Sequence, residues 1–168
     1  YVWPNKNKML SIYPYSTGGK TGFTDNAKRT LVSTASKDGL NLVVVTLKDG
    51  NDWDDHKDLF TEAYNQYVNY QILKKGNIEV DNETYYLNYQ LYLKNAFSYP
   101  LSNDEKDTIR LKFELEKKKD YKDNDVVGKV KVMIGDEEVY KDDVYIKKIE
   151  KAKDSFFQKI SRWFKNLW

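Results

Sequence analysis

The sequence has no cysteine and a single histidine, His56. A disulfide framework and a thiolate metal site are therefore excluded, and we expect no metal and no cofactor. The sequence also has no large excess of charge of one sign, because it contains 28 basic and 26 acidic residues and its net charge is only +2. This balance argues against nucleic acid as a partner, since a nucleic-acid-binding domain usually carries a basic stripe. The chain starts at Tyr1 without a leader pattern, so we expect further residues upstream of it.

One short motif carries chemical information. Lys20, Thr21 and Gly22 follow two glycines and precede Phe23, which places a cation, a hydroxyl and a residue without a side chain in a row. Lys-Thr-Gly accompanies Ser-x-x-Lys and Ser-Asp-Asn in acyl-transfer enzymes that use a serine nucleophile. A solvated turn in a lysine-rich chain is the alternative interpretation.

The serine elements that normally accompany this motif are missing. None of the eight serines has lysine three residues later or asparagine two residues later. The sequence therefore predicts one wall of an active site without its nucleophile.

The chain divides into three stretches by pattern, 1–70, 71–150 and 151–168. In the first, 31–35 and 40–47 are predicted strands joined by a hairpin turn at Lys37-Asp38-Gly39. The valines at 43–45 indicate burial on both sheet faces. Asp52 or Asp54 is expected to cap a helix whose apolar face lies across the sheet. That face comprises Leu59, Phe60, Ala63, Tyr64 and Tyr67.

The second stretch alternates apolar and polar residues with period two. The pattern runs through 85–93, 109–115 and 130–134, and Gly135-Asp136 turns the chain into 139–146. It predicts a small antiparallel β-sandwich of five to seven strands, with one face on a core and one in water. The acidic residues Asp52, Asp54 and Asp55 are expected to serve a helix start rather than a metal.

The tail is strongly amphipathic. At 100° per residue its apolar side chains fall within an arc of about 140°, and the predicted membrane-binding residues are Phe156, Phe157, Ile160, Trp163, Phe164, Leu167 and Trp168. Basic residues occupy the opposite side, and a helix of about 22 Å is too short for a bilayer core of about 30 Å. We therefore expect the tail to lie on a membrane surface; docking on the protein's own core is the alternative.

The segment from Asn5 to Tyr64 resembles a known enzyme family. Besides Lys20-Thr21-Gly22, it contains Arg29-Thr30-Leu31-Val32-Ser33 and Val43-Val44-Val45-Thr46-Leu47 in the order typical of serine-type D-alanyl-D-alanine carboxypeptidases, the low-molecular-mass penicillin-binding proteins. The resemblance implies an α+β fold. It comprises an antiparallel sheet with a helix from a penicillin-binding transpeptidase-like domain, a small all-β sandwich-like domain and a C-terminal amphipathic helix.

The resemblance also implies roles for the motif residues. Lys20 would be catalytic, beside the serine of the missing Ser-x-Asn. Thr21 would bind the terminal carboxylate of D-alanine, Gly22 would let the peptide backbone approach, and Phe23 would offer its N–H to an oxyanion hole. Many members place an arginine before the helix, where it helps to hold the substrate carboxylate, but 48–58 contains none. His56 and Lys57 are the available substitutes, and a surface or packing role is the alternative for His56.

These implications define the expected function. The chain would be part of an enzyme that removes the last D-alanine from peptidoglycan stem peptides, and it would be inactive alone. Its expected partners are a stem peptide or β-lactam, the N-terminal part of the same enzyme and the outer face of the bacterial cell membrane. Two alternatives are a non-catalytic, membrane-associated envelope module and a soluble lipid-binding or adhesion domain.

Overall fold

The computed structural model describes residues 1, 5–80, 85–118 and 120–149. They divide into two compact units. Unit 1 comprises the described residues within Tyr1–Leu73, Phe97–Arg110 and Ile134–Asp136. Unit 2 comprises those within Lys74–Ala96, Leu111–Met133 and Glu137–Trp168.

The described residues form mostly strands, with few helices. The helices are α1 (Met9–Ile12), α2 (Asp52–Gln66) and α3 (Asn103–Lys106). The strands are β1 (Ser16–Thr24), β2 (Lys28–Lys37), β3 (Leu40–Leu47), β4 (Val68–Leu73), β5 (Gly76–Ile78), β6 (Tyr89–Leu93), β7 (Phe97–Leu101), β8 (Ile109–Leu115), β9 (Val126–Ile134) and β10 (Glu137–Lys148). The predicted α+β class with antiparallel sheets is confirmed.

Unit 1 is built on a three-stranded sheet in the order β1-β2-β3. Both hairpins are antiparallel, and Lys37 pairs with Leu40 at the end of the second one. The two residues between them, Asp38 and Gly39, both have positive φ, at 51° and 78°. A two-residue turn of this kind matches the right-handed twist of the flanking strands, so the predicted hairpin is confirmed.

Helix α2 packs on one face of this sheet. Its Phe60 is fully buried together with Leu31, Ala35 and Met9, while Trp53 and Tyr64 border the cluster. The predicted packing of the helix on the sheet is therefore confirmed. The prediction is wrong for one residue of the apolar face, because Leu59 is 45% exposed. It precedes Phe60 by one residue, and the 100° rotation between them turns its side chain away from the sheet.

The opposite face of the sheet is uncovered by any described residue. Val43, Val45 and Leu47 are all more than half exposed, whereas Val44 borders the core beneath α2. The prediction that Val43 and Val45 are buried is thus wrong for the described chain. Strand alternation sends 43 and 45 away from α2.

The start of α2 differs from the expected cap. The N-cap position is Asn51, and Asp52 is the first helical residue. Asp52 and Asp54 therefore do not cap the helix, because their carboxylates pair with Arg29 and Lys57 instead. Asp55 accepts a hydrogen bond from Asn51 Nδ2 at 2.9 Å.

Unit 2 contains the sheet β5-β6-β10-β9-β8. Val130 and Val132 on β9 and Val144 and Ile146 on β10 are buried in strand alternation, whereas Met133 is buried directly after Val132. The strand predicted over 85–93 is only partly correct, because β6 begins at Tyr89 and the preceding residues form a turn. Strands β4 and β7 pair separately, as a two-stranded sheet in unit 1.

Candidate functional site

The Lys-Thr-Gly motif lies on β1, which forms one edge of the sheet of unit 1. The strand register shifts between Ser16 and Gly18, just before the motif. Gly19 follows with φ at 147°, and a Cβ there would lie 2.2 Å from the carbonyl oxygen of Val32. Only glycine tolerates this conformation and this close approach, so Gly19 fixes the path of the chain into the motif.

Lys20, Thr21, Gly22 and Phe23 all line a single cavity of about 480 Å³. The Lys20 side chain is exposed, and its Nζ donates a hydrogen bond to the carbonyl oxygen of Thr21 at 2.7 Å. Phe23 is also exposed, at 65%. Because β1 is an edge strand, no described strand pairs with its outer N–H and C=O groups. An extended peptide can add to such an edge through main-chain hydrogen bonds.

The packing of the hairpin also explains why glycine occupies position 22. It pairs with Thr30 on β2, and a Cβ at Gly22 would lie 2.4 Å from Thr30 Oγ1. A side chain at this position would therefore displace the Thr30 hydroxyl as well as fill the cavity, which both residues line.

Sequence analysis assigned no role to Arg29, which also lines the cavity. Its Nε donates to Asp52 Oδ2 at 3.1 Å, and its Nη2 donates to Asp52 Oδ1. Asp52 is 3% exposed at its side chain and Arg29 43%, so a nearly buried carboxylate holds a half-exposed guanidinium. The hydrogen bond to Asp52 raises the pKa of Arg29 further above its usual value. Its position beside the motif follows from the antiparallel pairing of Phe23 with Arg29, which no local sequence pattern indicated.

The cavity carries an excess of positive charge. Its charged lining residues are three cations, Lys6, Lys20 and Arg29, and one anion, Asp52. Trp53 forms part of the wall, and Arg29 Cζ lies 5.6 Å from the centre of its ring. A partly enclosed site with this charge attracts anions.

His56 is not at the cavity. It is fully buried between α2 and the sheet, where Nδ1 lies 2.6 Å from Ser33 Oγ and Nε2 lies 3.1 Å from Thr46 Oγ1. Burial lowers the pKa of His56, against the opposing effect of Asp52 and neighbouring carboxylates. Its ring therefore links the helix to two strands, and the structure does not bring it to Lys20 or Thr21. Lys57 is bonded to Asp54 instead.

The predicted membrane-binding residues, from Phe156 to Trp168, lie outside the described residues. Within the described part of the chain, no helix combines the length and apolar character needed to cross a bilayer. The same part contains no cluster of three or more histidine and acidic side chains suited to a metal.

Two family profiles match the sequence. "D-alanyl-D-alanine carboxypeptidase" matches residues 1–51, which include the motif and Arg29. "Penicillin-binding protein 5, C-terminal domain" matches residues 67–151, half of the chain. The chain therefore belongs to the low-molecular-mass penicillin-binding proteins of the D-alanyl-D-alanine carboxypeptidase family, and the predicted resemblance is confirmed.

Individual relatives agree. D-alanyl-D-alanine carboxypeptidase DacB2 of Mycobacterium tuberculosis is 37% identical in an alignment of 62 residues that covers 33% of this chain and 21% of that protein. The crystal structure of carboxypeptidase DacD from Francisella tularensis superposes with a TM-score of 0.60 at 22% identity, covering 84% of this chain and 38% of that one. The crystal structure of penicillin binding protein 5 from Haemophilus influenzae superposes with a TM-score of 0.57 at 17% identity, covering 86% of this chain and 45% of that one.

The chain spans only about a fifth of the length of the curated relative and less than half of the two solved chains described above. At these identities, the structural matches establish the fold alone.

Proposed function

We propose that this chain supplies one wall of the substrate cleft of a serine-type D-alanyl-D-alanine carboxypeptidase, acting on peptidoglycan stem peptides. The observation that carries the proposal is the position of Lys20-Thr21-Gly22 on an exposed sheet edge beside a cationic cavity. A peptide ending in D-alanine offers both groups that this arrangement suits, a backbone for the edge and a carboxylate for the cations.

Each motif residue takes one role in this proposal. The Lys20 ammonium lies near the serine of the upstream Ser-x-Asn and supports proton transfer during acylation. The Thr21 hydroxyl donates to the terminal carboxylate. Gly22 leaves room for the ligand backbone, and the Phe23 N–H donates to the oxyanion of the tetrahedral intermediate.

The nucleophile belongs to another part of the protein in this proposal. No serine of the chain has the Ser-x-x-Lys or Ser-x-Asn spacing, so residues 1–168 alone do not form an acyl-enzyme. The upstream reading frame separates this proposal from a non-catalytic envelope module. Both serine motifs should be encoded there, and their absence would favour the module.

Incubation with a fluorescent penicillin tests the proposal. We expect no covalent label on residues 1–168, and labelling of a chain extended upstream to include Ser-x-x-Lys and Ser-x-Asn. In the extended chain, Lys20→Gln should reduce the acylation rate strongly, whereas Lys57→Gln, which removes a partly exposed lysine of α2 that pairs with Asp54, should leave it unchanged. A label on the isolated chain would contradict the proposal.

We further propose that the tail places the protein on the outer face of the cell membrane. The support is the separation of seven apolar side chains from the basic ones in 154–168. Sedimentation with anionic lipid vesicles tests it. Binding should fall when Trp163 and Phe164 are both replaced by serine, and unchanged binding of that variant would contradict the proposal.

A further inference from the structure

The ion pair between Arg29 and Asp52 uses only one side of the guanidinium. Asp52 accepts hydrogen bonds from Nε and from one hydrogen of Nη2, which form the lateral edge of the group. A guanidinium has five N–H donors in a fixed plane, so three remain, on Nη1 and Nη2. The described residues provide no partner for Nη1. The remaining terminal edge matches the two oxygens of a carboxylate.

The orientation of Arg29 is fixed by groups that are themselves constrained. The Asp52 carboxylate is nearly buried at the first turn of α2, and the Trp53 ring lies beside the guanidinium. A long, exposed side chain normally loses conformational entropy when it binds a ligand. Here Asp52 has already restricted Arg29, which lowers that cost.

Strand register brings Arg29 to the same side of the hairpin as Thr21. Thr21 pairs with Leu31, and Arg29 precedes Leu31 by two residues on β2. Residues two apart on a strand share a face, and diagonal neighbours across an antiparallel pair lie about 7–8 Å apart. Both residues also line the same cavity. A carboxylate between them can accept hydrogen bonds from the Thr21 hydroxyl and from the guanidinium together.

We propose that Arg29 is a carboxylate-binding residue of this site and that Asp52 is its positioning residue. This inference rests on the proposed function, because it assigns the terminal carboxylate of a D-alanyl peptide to Thr21 and Arg29 together. It also accounts for the absence of arginine in 48–58, since β2 supplies the guanidinium that the segment before α2 lacks.

The test is an NMR titration of the full ¹⁵N-labelled chain with N-acetyl-D-alanyl-D-alanine and with its C-terminal amide. The wild-type chain should bind the acid about tenfold more tightly than the amide, the amount expected for a hydrogen-bonded charged group. Arg29→Gln alone leaves Asp52 unpaired, so the main variant is Arg29→Gln/Asp52→Asn, which removes both charges together. Arg110→Gln is the matched control, because Arg110 pairs with Asp136 in an exposed position.

The inference predicts that the double variant binds acid and amide equally, and that Arg110→Gln keeps the wild-type preference. Arg29→Lys should retain only part of the preference, because an ammonium cannot form the two-pronged contact. If the double variant kept the full preference for the acid, the role of Arg29 would be wrong while the proposed function stood. If the wild-type chain bound neither peptide, the inference about Arg29 would be wrong, whereas the proposed function is decided separately by penicillin labelling of the chain extended upstream.

Discussion

The two units of this chain are both built mainly from antiparallel strands, but they bury different kinds of side chain. The described part of unit 2 buries apolar and tyrosine side chains, such as Val132, Val144 and Tyr86. All four polar or charged residues that are buried in the described chain belong to unit 1: Asn7, Ser33, Asp52 and His56. Unit 1 also has a sheet face that no described residue covers. Of these four residues, Asp52 lines the cavity and holds Arg29, whereas Ser33 and His56 bond to each other between α2 and the sheet. Buried polar groups need partners to avoid a desolvation cost, so unit 1 depends more than unit 2 on specific polar contacts.

The largest effect should come from the apolar support of that site. Phe60→Ala removes a fully buried ring beneath the sheet of unit 1 and should lower the free energy of unfolding by about 3–5 kcal/mol. Leu59→Ala is the matched control on the same helix and should cost far less, because Leu59 is largely solvated. Urea unfolding monitored by circular dichroism measures both. Equal losses would contradict the packing of α2 described here.

A smaller effect should follow from the buried carboxylate. Asp52→Ala leaves the half-exposed Arg29 without its partner and should cost about 1–3 kcal/mol. Asp136→Ala breaks a comparable ion pair with Arg110 in which both partners are exposed, and should cost about 0–1 kcal/mol. If urea unfolding gave the same loss of unfolding free energy for both substitutions, the buried position of Asp52 would add nothing to the stability of its ion pair.

Unit 1 should also lose stability in acid through His56. Burial lowers the pKa of His56 in the folded protein below its unfolded value of about 6.5, so the unfolded chain binds the proton first. This contribution is fully present above about pH 6.5 and is lost as pH falls through the window below it. His56→Gln should therefore show a shallower fall in stability than the wild-type chain between pH 7.5 and 5. Parallel curves would show that His56 does not titrate as described.

The smallest effect on folding is expected on the uncovered face. Val45→Thr should change the free energy of unfolding by no more than about 0.5 kcal/mol, because Val45 is exposed to solvent. The same substitution at Val44, on the opposite side of β3 and next to the core, should be clearly destabilising. A large loss at position 45 would mean that this face is covered in solution.

The sequence predicted the elements with local signals. The Asp38-Gly39 turn and the alternation over 109–115 identified their hairpin and strand because backbone preference and side-chain period agreed there. The strand predicted from Tyr85 failed at its start, since alternation continued through residues that form a turn. The valines at 43–45 resemble a doubly covered strand, but pattern alone cannot say which covering elements are present.

Only part of the candidate site could be predicted from the sequence. Lys20, Thr21, Gly22 and Phe23 could be identified because they are contiguous and match a known motif. Arg29 could not, because its position depends on strand register and on Asp52, which lies 23 residues away along the chain. His56 was proposed as a substitute for arginine on proximity in sequence, whereas its ring is directed between Ser33 and Thr46.

The proposal that the β1 edge receives a peptide ending in D-alanine can be tested by NMR. Amide chemical-shift changes are mapped in the ¹⁵N-labelled chain after N-acetyl-D-alanyl-D-alanine is added. We expect the largest shifts at Thr21, Gly22 and Phe23, with a change at the Arg29 Nε–H and none in the core strands of unit 2. Shifts confined to unit 2, with β1 unaffected, would contradict it.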